Sequence, residues 1–224
     1  MPHLTPIVVF TALTIPFVAA SPARHIDIES GQGLDFVHVV PRAVTYKGQK
    51  ALQLAPANND DNGQQVALVK ELDFKDGTIE VDLAGLLGPG ASDTARGFVG
   101  VAFRSSPNAA ALDCFYLRPT NGRADDQLRR NHSTQYVSEP DYPWQRLRTE
   151  TPGVYESYVD LETGGWTHVK IEVTGVRARL YVNGASQPTL IVNDLKRGMI
   201  SGRIGLWVGP GTEAYFRNLS VTTS

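Results

Sequence analysis

The chain of 224 residues is 42% hydrophobic and 20% charged, the balance of a globular protein long enough for one large domain with a full core. Its formal net charge of -2, from 21 Lys and Arg against 23 Asp and Glu, gives no global attraction to nucleic acid or to a membrane surface. A single cysteine, Cys114, excludes an intramolecular disulfide, and with only five scattered histidines no zinc-ligand spacing appears.

In chain order, the first feature is an apolar run from Pro6 to Ala20, interrupted only by Thr11 and Thr14, with no charged residue before Arg24. It is too short for a membrane span of roughly 20 residues but matches a signal-peptide core, and Val18-Ala19-Ala20 supplies small residues at a cleavage site. The expected organisation is a signal peptide over 1–20 and one mature domain over 21–224, in a secreted or periplasmic protein with no membrane span.

Strand signals then recur over 34–40, 66–70, 78–83, 97–104, 112–118, 166–174, 177–183, 189–192, 203–208 and 214–221. Ile79, Val81 and Leu83 oppose Glu80 and Asp82, and Val169, Ile171 and Val173 oppose His168, Lys170 and Glu172. Such alternation buries one face of an antiparallel sheet and wets the other. Asn183-Gly184, Lys47-Gly48, Asp76-Gly77 and Asn62-Gly63 are turn signals. No stretch of a dozen residues carries a helical stripe. The fold class predicted is all-β, a two-sheet antiparallel β-sandwich. Cys114 lies in an apolar strand and reads as an inert buried thiol. The polar run from Asn58 to Gly63 lacks the Asp and Glu of an EF-hand loop and reads as a turn, so no metal and no cofactor is expected.

The stretch 115–155 differs from the rest. It gathers Arg118, Arg123, Arg129, Arg130, Arg146 and Arg148 among Tyr116, His132, Tyr136, Tyr142, Trp144 and Tyr155, with no strand or helix period. Long aperiodic loops in compact domains tend to bind ligands, and guanidinium forks beside flat rings suit sugars, carboxylates and phosphates. The competing reading is structural: the arginines pair with Asp113, Asp125, Asp126, Glu139 and Asp141 and fasten the loop down.

The C-terminal half carries Trp166-Thr167-His168-Val169, then Arg179-Leu180-Tyr181-Val182-Asn183-Gly184, then Gly202-Arg203-Ile204-Gly205-Leu206-Trp207, then Phe216-Arg217-Asn218-Leu219-Ser220-Val221. Over residues 66–223 this order resembles the concanavalin A-like sandwiches, including laminin-G-like domains and the bacterial 3-keto-disaccharide hydrolase domains. The resemblance implies a jelly roll whose concave sheet and rim loops hold a glycan, an anionic one included.

Alternation places Arg104, Tyr116 and Arg118 on one face, expected to converge as sugar-binding groups with Asn121, Arg123, Arg129, His132, Tyr142 and Trp144 of the loop. Glu80 and Asp82 are the only pair proposed for acid/base work. Glu80-Val81-Asp82 resembles the start of the E-x-D-x-x-E motif of laminarinase-type glycosidases, but Gly85 stands where the third carboxylate belongs. The leading expectation is a glycan hydrolase of the 3-keto-disaccharide hydrolase-like group. A lectin-like module that binds without reacting is the alternative. A uronate polysaccharide lyase, moving protons with His132 or Tyr142, is the third.

Overall fold

The computed structural model describes residues 22–58 and 63–224. The leader expected over 1–20 and most of the polar turn at 58–63 lie outside these residues. The first strands are β1 (Arg24–Ile26), β2 (Leu34–Val37), β3 (Val39–Tyr46), β4 (Gln49–Pro56), β5 (Val66–Val69), β6 (Gly77–Leu87), β7 (Val99–Ser105) and β8 (Leu112–Leu117). Short helices α1 (Pro119–Gly122) and α2 (Gln127–Asn131) precede β9 (Thr134–Glu139), and α3 (Trp144–Glu150) precedes β10 (Glu156–Ser157). The chain ends with β11 (Thr167–Thr174), β12 (Arg177–Val182), β13 (Leu190–Val192), β14 (Arg203–Val208) and β15 (Thr212–Thr223).

These strands form two antiparallel sheets. The first runs β13-β12-β11-β6-β15-β4-β3, with β1 added along β15, and the second runs β10-β9-β8-β7-β14-β5-β2. The sheets face each other across one core, to which β6 contributes Ile79, Val81 and Leu83 and β7 contributes Val99, Val101 and Phe103. All six are at most 1% exposed, as period-two alternation requires. The predicted all-β sandwich is therefore observed, and Cys114 is buried in it with its thiol pushed well up by burial.

Three local details differ from the sequence expectation. The predicted strand 34–40 is broken at His38, whose φ of 52° turns the chain out of the second sheet and into the first. Lys47 and Gly48 both take positive φ and close a β3–β4 hairpin whose strands carry weak alternation. The stretch 119–153 is not one loop. It contains β9, which extends the second sheet from β8, and three short helices. Thr134, Gln135 and Ser138 of β9 are buried polar residues, which hides the strand from a hydrophobic-period reading.

Candidate functional site

Register builds the site. Trp207 pairs with Gly100, Gly100 with Tyr116, Tyr116 with Gln135, and Gln135 with Glu156. Directly paired residues share a face, so these five side-chain positions form one rank across the outward face of the second sheet. Four inter-strand steps make the rank about 19 Å long. Its aromatic end has Tyr116 and Trp207 rings 4.9 Å apart, with Phe98 edge-on to Tyr116 at 6.0 Å. Its polar end closes on Glu156.

Gly100 makes the aromatic end feasible. A Cβ there would lie 2.6 Å from Tyr116 Cβ and 2.3 Å from Phe115 O. Gly100→Ala should push Tyr116 out of the rank and lower stability by about 1–3 kcal/mol, the usual cost of overpacking. Chemical denaturation measures this, and an unchanged midpoint would show that the rank relaxes freely.

Glu156 is 7% exposed and sits among cations. Arg148 grips both its oxygens, with Nε 3.1 Å from Oε2 and Nη2 in close contact with Oε1. Arg118 Nη1 lies 3.5 Å from Oε1, and His132 Nδ1 lies 2.9 Å from Oε2 but out of line for a hydrogen bond. Arg118 is itself held by His132 O at 2.9 Å, Tyr116 Oη at 2.9 Å and Gln135 Oε1 at 3.1 Å. Burial raises the Tyr116 phenol to about 12, so it stays protonated at neutral pH. Burial lowers the His132 pKa below the ordinary imidazole value; Glu156 opposes the shift while Arg148 and Arg118 add to it. The imidazole is therefore neutral at pH 7, with Nε2 free of a hydrogen-bond partner among the described residues. A neutral imidazole with a carboxylate close to one nitrogen is equipped to take a proton on the other.

Glu156→Gln tests the electrostatic half of this arrangement. Shape is kept while the charge facing Arg118 and Arg148 is lost, so stability should fall by about 1–3 kcal/mol. A thermal melt unchanged by the substitution would show that the guanidiniums do not depend on that charge.

The other expected site residues fall in several places. Asn121 is buried beside the rank, its Nδ2 donating to His132 O at 3.3 Å and its Oδ1 accepting from Arg129 Nε at 3.3 Å. Trp144 lies 37% exposed at the rim beneath the Arg148 guanidinium, 4.6 Å from the ring centroid. Tyr142 instead packs against the main core, with Arg146 4.2 Å over its ring. Arg123 is exposed and pairs with Asp160 at 2.8 and 3.0 Å.

Arg104 does not converge with Tyr116 and Arg118. The antiparallel register sets Phe103 opposite Asp113 and Val99 opposite Leu117. Arg104 and Arg118 therefore stand at opposite ends of these two strands, about 20 Å apart along them. A φ of 49° also takes Arg104 out of the alternation, and its guanidinium donates to Lys75 O, Gly175 O, Gly198 O and Asp76 Oδ1. Nor do Glu80 and Asp82 meet the arginines. Both lie on the outward face of the first sheet, across the core from the rank. There His168 sits between them, Nδ1 2.9 Å from Asp82 and Nε2 3.4 Å from Glu80. The second Asp82 oxygen is taken by Asn218 Nδ2 at 2.7 Å and Arg217 Nε at 3.1 Å.

The structural reading of the arginines holds in part, with different acids. Asp160, Glu162, Glu150 and Glu156 pair with Arg123, Arg146, Arg118 and Arg148, whereas Asp113 accepts from Tyr136 Oη at 2.7 Å and Asp126 caps α2. Glu156, Gln135 and Trp207 were not among the expected site residues. Glu156 sits in a two-residue strand without periodic signal, while Trp207 alternates with Gly205 in a motif read only for fold.

A profile of the 3-keto-alpha-glucoside-1,2-lyase-like domain matches residues 39–222. Among solved structures, the carbohydrate-binding module CBM66 of Bacillus subtilis superposes with a TM-score of 0.59 at 16% identity, over 85% of this chain and 96% of that one. A Bacillus subtilis protein of unknown function with a galectin-like fold gives 0.57 at 11% identity, over 92% and 96%. A Bauhinia forficata lectin solved with GalNAc gives 0.50 at 13%, over 90% and 97%. No curated protein sequence matches the chain. At these identities the solved structures speak for the sandwich fold alone.

Proposed function

The chain belongs to the 3-keto-alpha-glucoside-1,2-lyase-like domain family, and from that premise we propose that it cleaves keto-sugar glycosides by proton abstraction, with His132 as the base. The observation that carries this reading is the neutral imidazole of His132 held beside Glu156 at one end of an aromatic-floored rank. A ketone at C3 acidifies the neighbouring C2 proton. His132 Nε2 takes that proton, and the C2–H electron pair moves toward the C3 carbonyl to give an enolate. The enolate then collapses to restore the C3 carbonyl, forming the C1–C2 double bond and breaking the C1–O bond. The departing alkoxide takes the proton held on His132 Nε2, which restores the neutral imidazole. The products are an enone sugar and an alcohol. Water adding to the enone at C1 converts the overall reaction into a hydrolysis, so the hydrolase expected from the sequence and the lyase share one first step.

The surrounding guanidiniums favour the negative charge that develops on the sugar. Trp207 and Phe98, half-buried over the buried Tyr116 ring, offer flat apolar surface to a ring face at the far end of the rank. Glu156 acts on the imidazole through its charge, 2.9 Å from Nδ1 and held in place by Arg118 and Arg148, rather than by touching the sugar. The apolar run from Pro6 to Ala20, read from the sequence as a leader, is the basis for placing this activity outside the cytoplasm.

The test is incubation of the purified protein with p-nitrophenyl 3-keto-α-glucoside. Release of nitrophenol with an enone or its hydrate is expected. Binding of the glycoside without release would support a lectin-like module instead.

A further inference from the structure

We propose that Arg96 and Arg129 form a seat for a carboxylate carried by the glycoside, which makes the substrate of the His132 site an acidic sugar conjugate. The inference rests on the reading above and names the substrate class of that site.

Most arginines around the rank are paired. Arg118, Arg123, Arg146 and Arg148 each meet a glutamate or aspartate. Arg96 and Arg129 do not, among the described residues. Arg96 Nη1 donates to the main-chain oxygens of Asp93 and Ala95, both at 2.7 Å, and no partner occupies its Nη2. Arg129 donates only Nε, to Asn121 Oδ1, leaving both terminal nitrogens open. Each is half-buried, so neither is simply a solvated surface cation.

The chain holds these two groups together. Arg96 O accepts from Thr120 N at 3.3 Å, which ties the β6–β7 connection to α1. Thr120 Oγ1 beside that tie is buried without a partner. Asn121, the next residue, touches Arg129 with one side-chain atom and His132 O with the other, so the seat adjoins the proposed base. The guanidiniums feel each other: burial first, then Arg129 and Arg118, weaken the hold of Arg96 on its proton, with Asp93 opposing. Like charges linked in this way through α1 repel, and Glu156 is already engaged by Arg118 and Arg148. A bidentate carboxylate would satisfy the open forks and relieve the repulsion.

Titration calorimetry with three probes tests the seat: methyl α-D-glucoside, methyl α-D-glucuronide and 4-carboxyphenyl α-D-glucoside. At least one acidic probe should bind tenfold or more tightly than the neutral one, and the advantage should shrink as salt is raised. Preference for the glucuronide places the carboxylate on the ring; preference for the carboxyphenyl glucoside places it on the leaving group. In Arg96→Gln and Arg129→Gln the ratio of acidic to neutral affinity should fall toward one. Equal affinities in the unaltered protein, or a ratio unmoved in both variants, would overturn the seat while leaving the glycoside reading standing. Binding of none of the three would count against the saccharide site as a whole.

Discussion

Replacing His132 with alanine should lower turnover of a 3-keto-α-glucoside by about 10²- to 10⁴-fold, the usual contribution of a positioned general base. Stability should change little, because the ring is partly solvent-exposed and makes no in-line hydrogen bond. The pH profile carries the sharper signature. Burial lowers the His132 pKa, Arg148 and Arg118 lower it further, and Glu156 only partly restores it. The base must be unprotonated to act, so kcat/KM should fall as pH drops through that lowered value, on a limb lying below about 6.5. His132→Ala should lose both the rate and the limb. Retention of an acid limb in the variant would assign it to another group.

Arg104→Ala should cost about 3–5 kcal/mol, the penalty for breaking a buried charge pair, and lower the melting temperature by about 10 °C. Arg104 is 0% exposed, yet its guanidinium donates to three main-chain oxygens and to Asp76. Those acceptors belong to Lys75 and Asp76 ahead of β6, Gly175 in the β11–β12 turn and Gly198 ahead of β14. One side chain thus fastens three connections at one end of the sandwich, and alanine leaves the three main-chain oxygens without their donor while Asp76 Oδ1 keeps only Gly175 N. Sugar binding below the transition should be unaffected, since the rank lies at the other end of β7. A melt within a degree or two of the original would show that water replaces the guanidinium at little cost.

The contrast between Arg104 and Arg118 shows how far the sequence can be read. Arg104 sits in β7 and Arg118 directly follows β8, strands whose alternation is legible, and the sequence expectation puts both on one face. Alternation gives the face of a residue but not its position along the sheet; that depends on register, and register sets them about 20 Å apart. Positive φ at Arg104 then removed even the face assignment. Glu80 and Asp82 were read correctly as outward-facing, but outward on the first sheet is the far side of the core from Arg118. Which of two sheets a strand joins is a long-range outcome that period-two patterning does not encode.

The stretch 115–155 was legible as a place and not as a structure. Part of it gathers at the candidate site, where His132, Arg118, Asn121, Tyr116 and Arg148 meet, whereas Tyr136, Tyr142 and Tyr155 pack in or against the main core and Arg123 pairs with Asp160. Its strand β9 is hidden because its buried positions include the polar Thr134, Gln135 and Ser138, of which Gln135 and Thr134 are held by side-chain hydrogen bonds. Glu156 was hidden more deeply. It gains its meaning only from pairing with Gln135 across two strands that single-sequence reading did not detect.

The most direct measurement is proton NMR of a 3-keto-α-glucoside in deuterium oxide with catalytic protein. The C2 resonance should disappear by enzyme-dependent exchange or elimination, and this loss should vanish with His132→Ala while the variant still binds the sugar. A C2 proton that persists with the unaltered protein under saturating glycoside would contradict proton abstraction at this site.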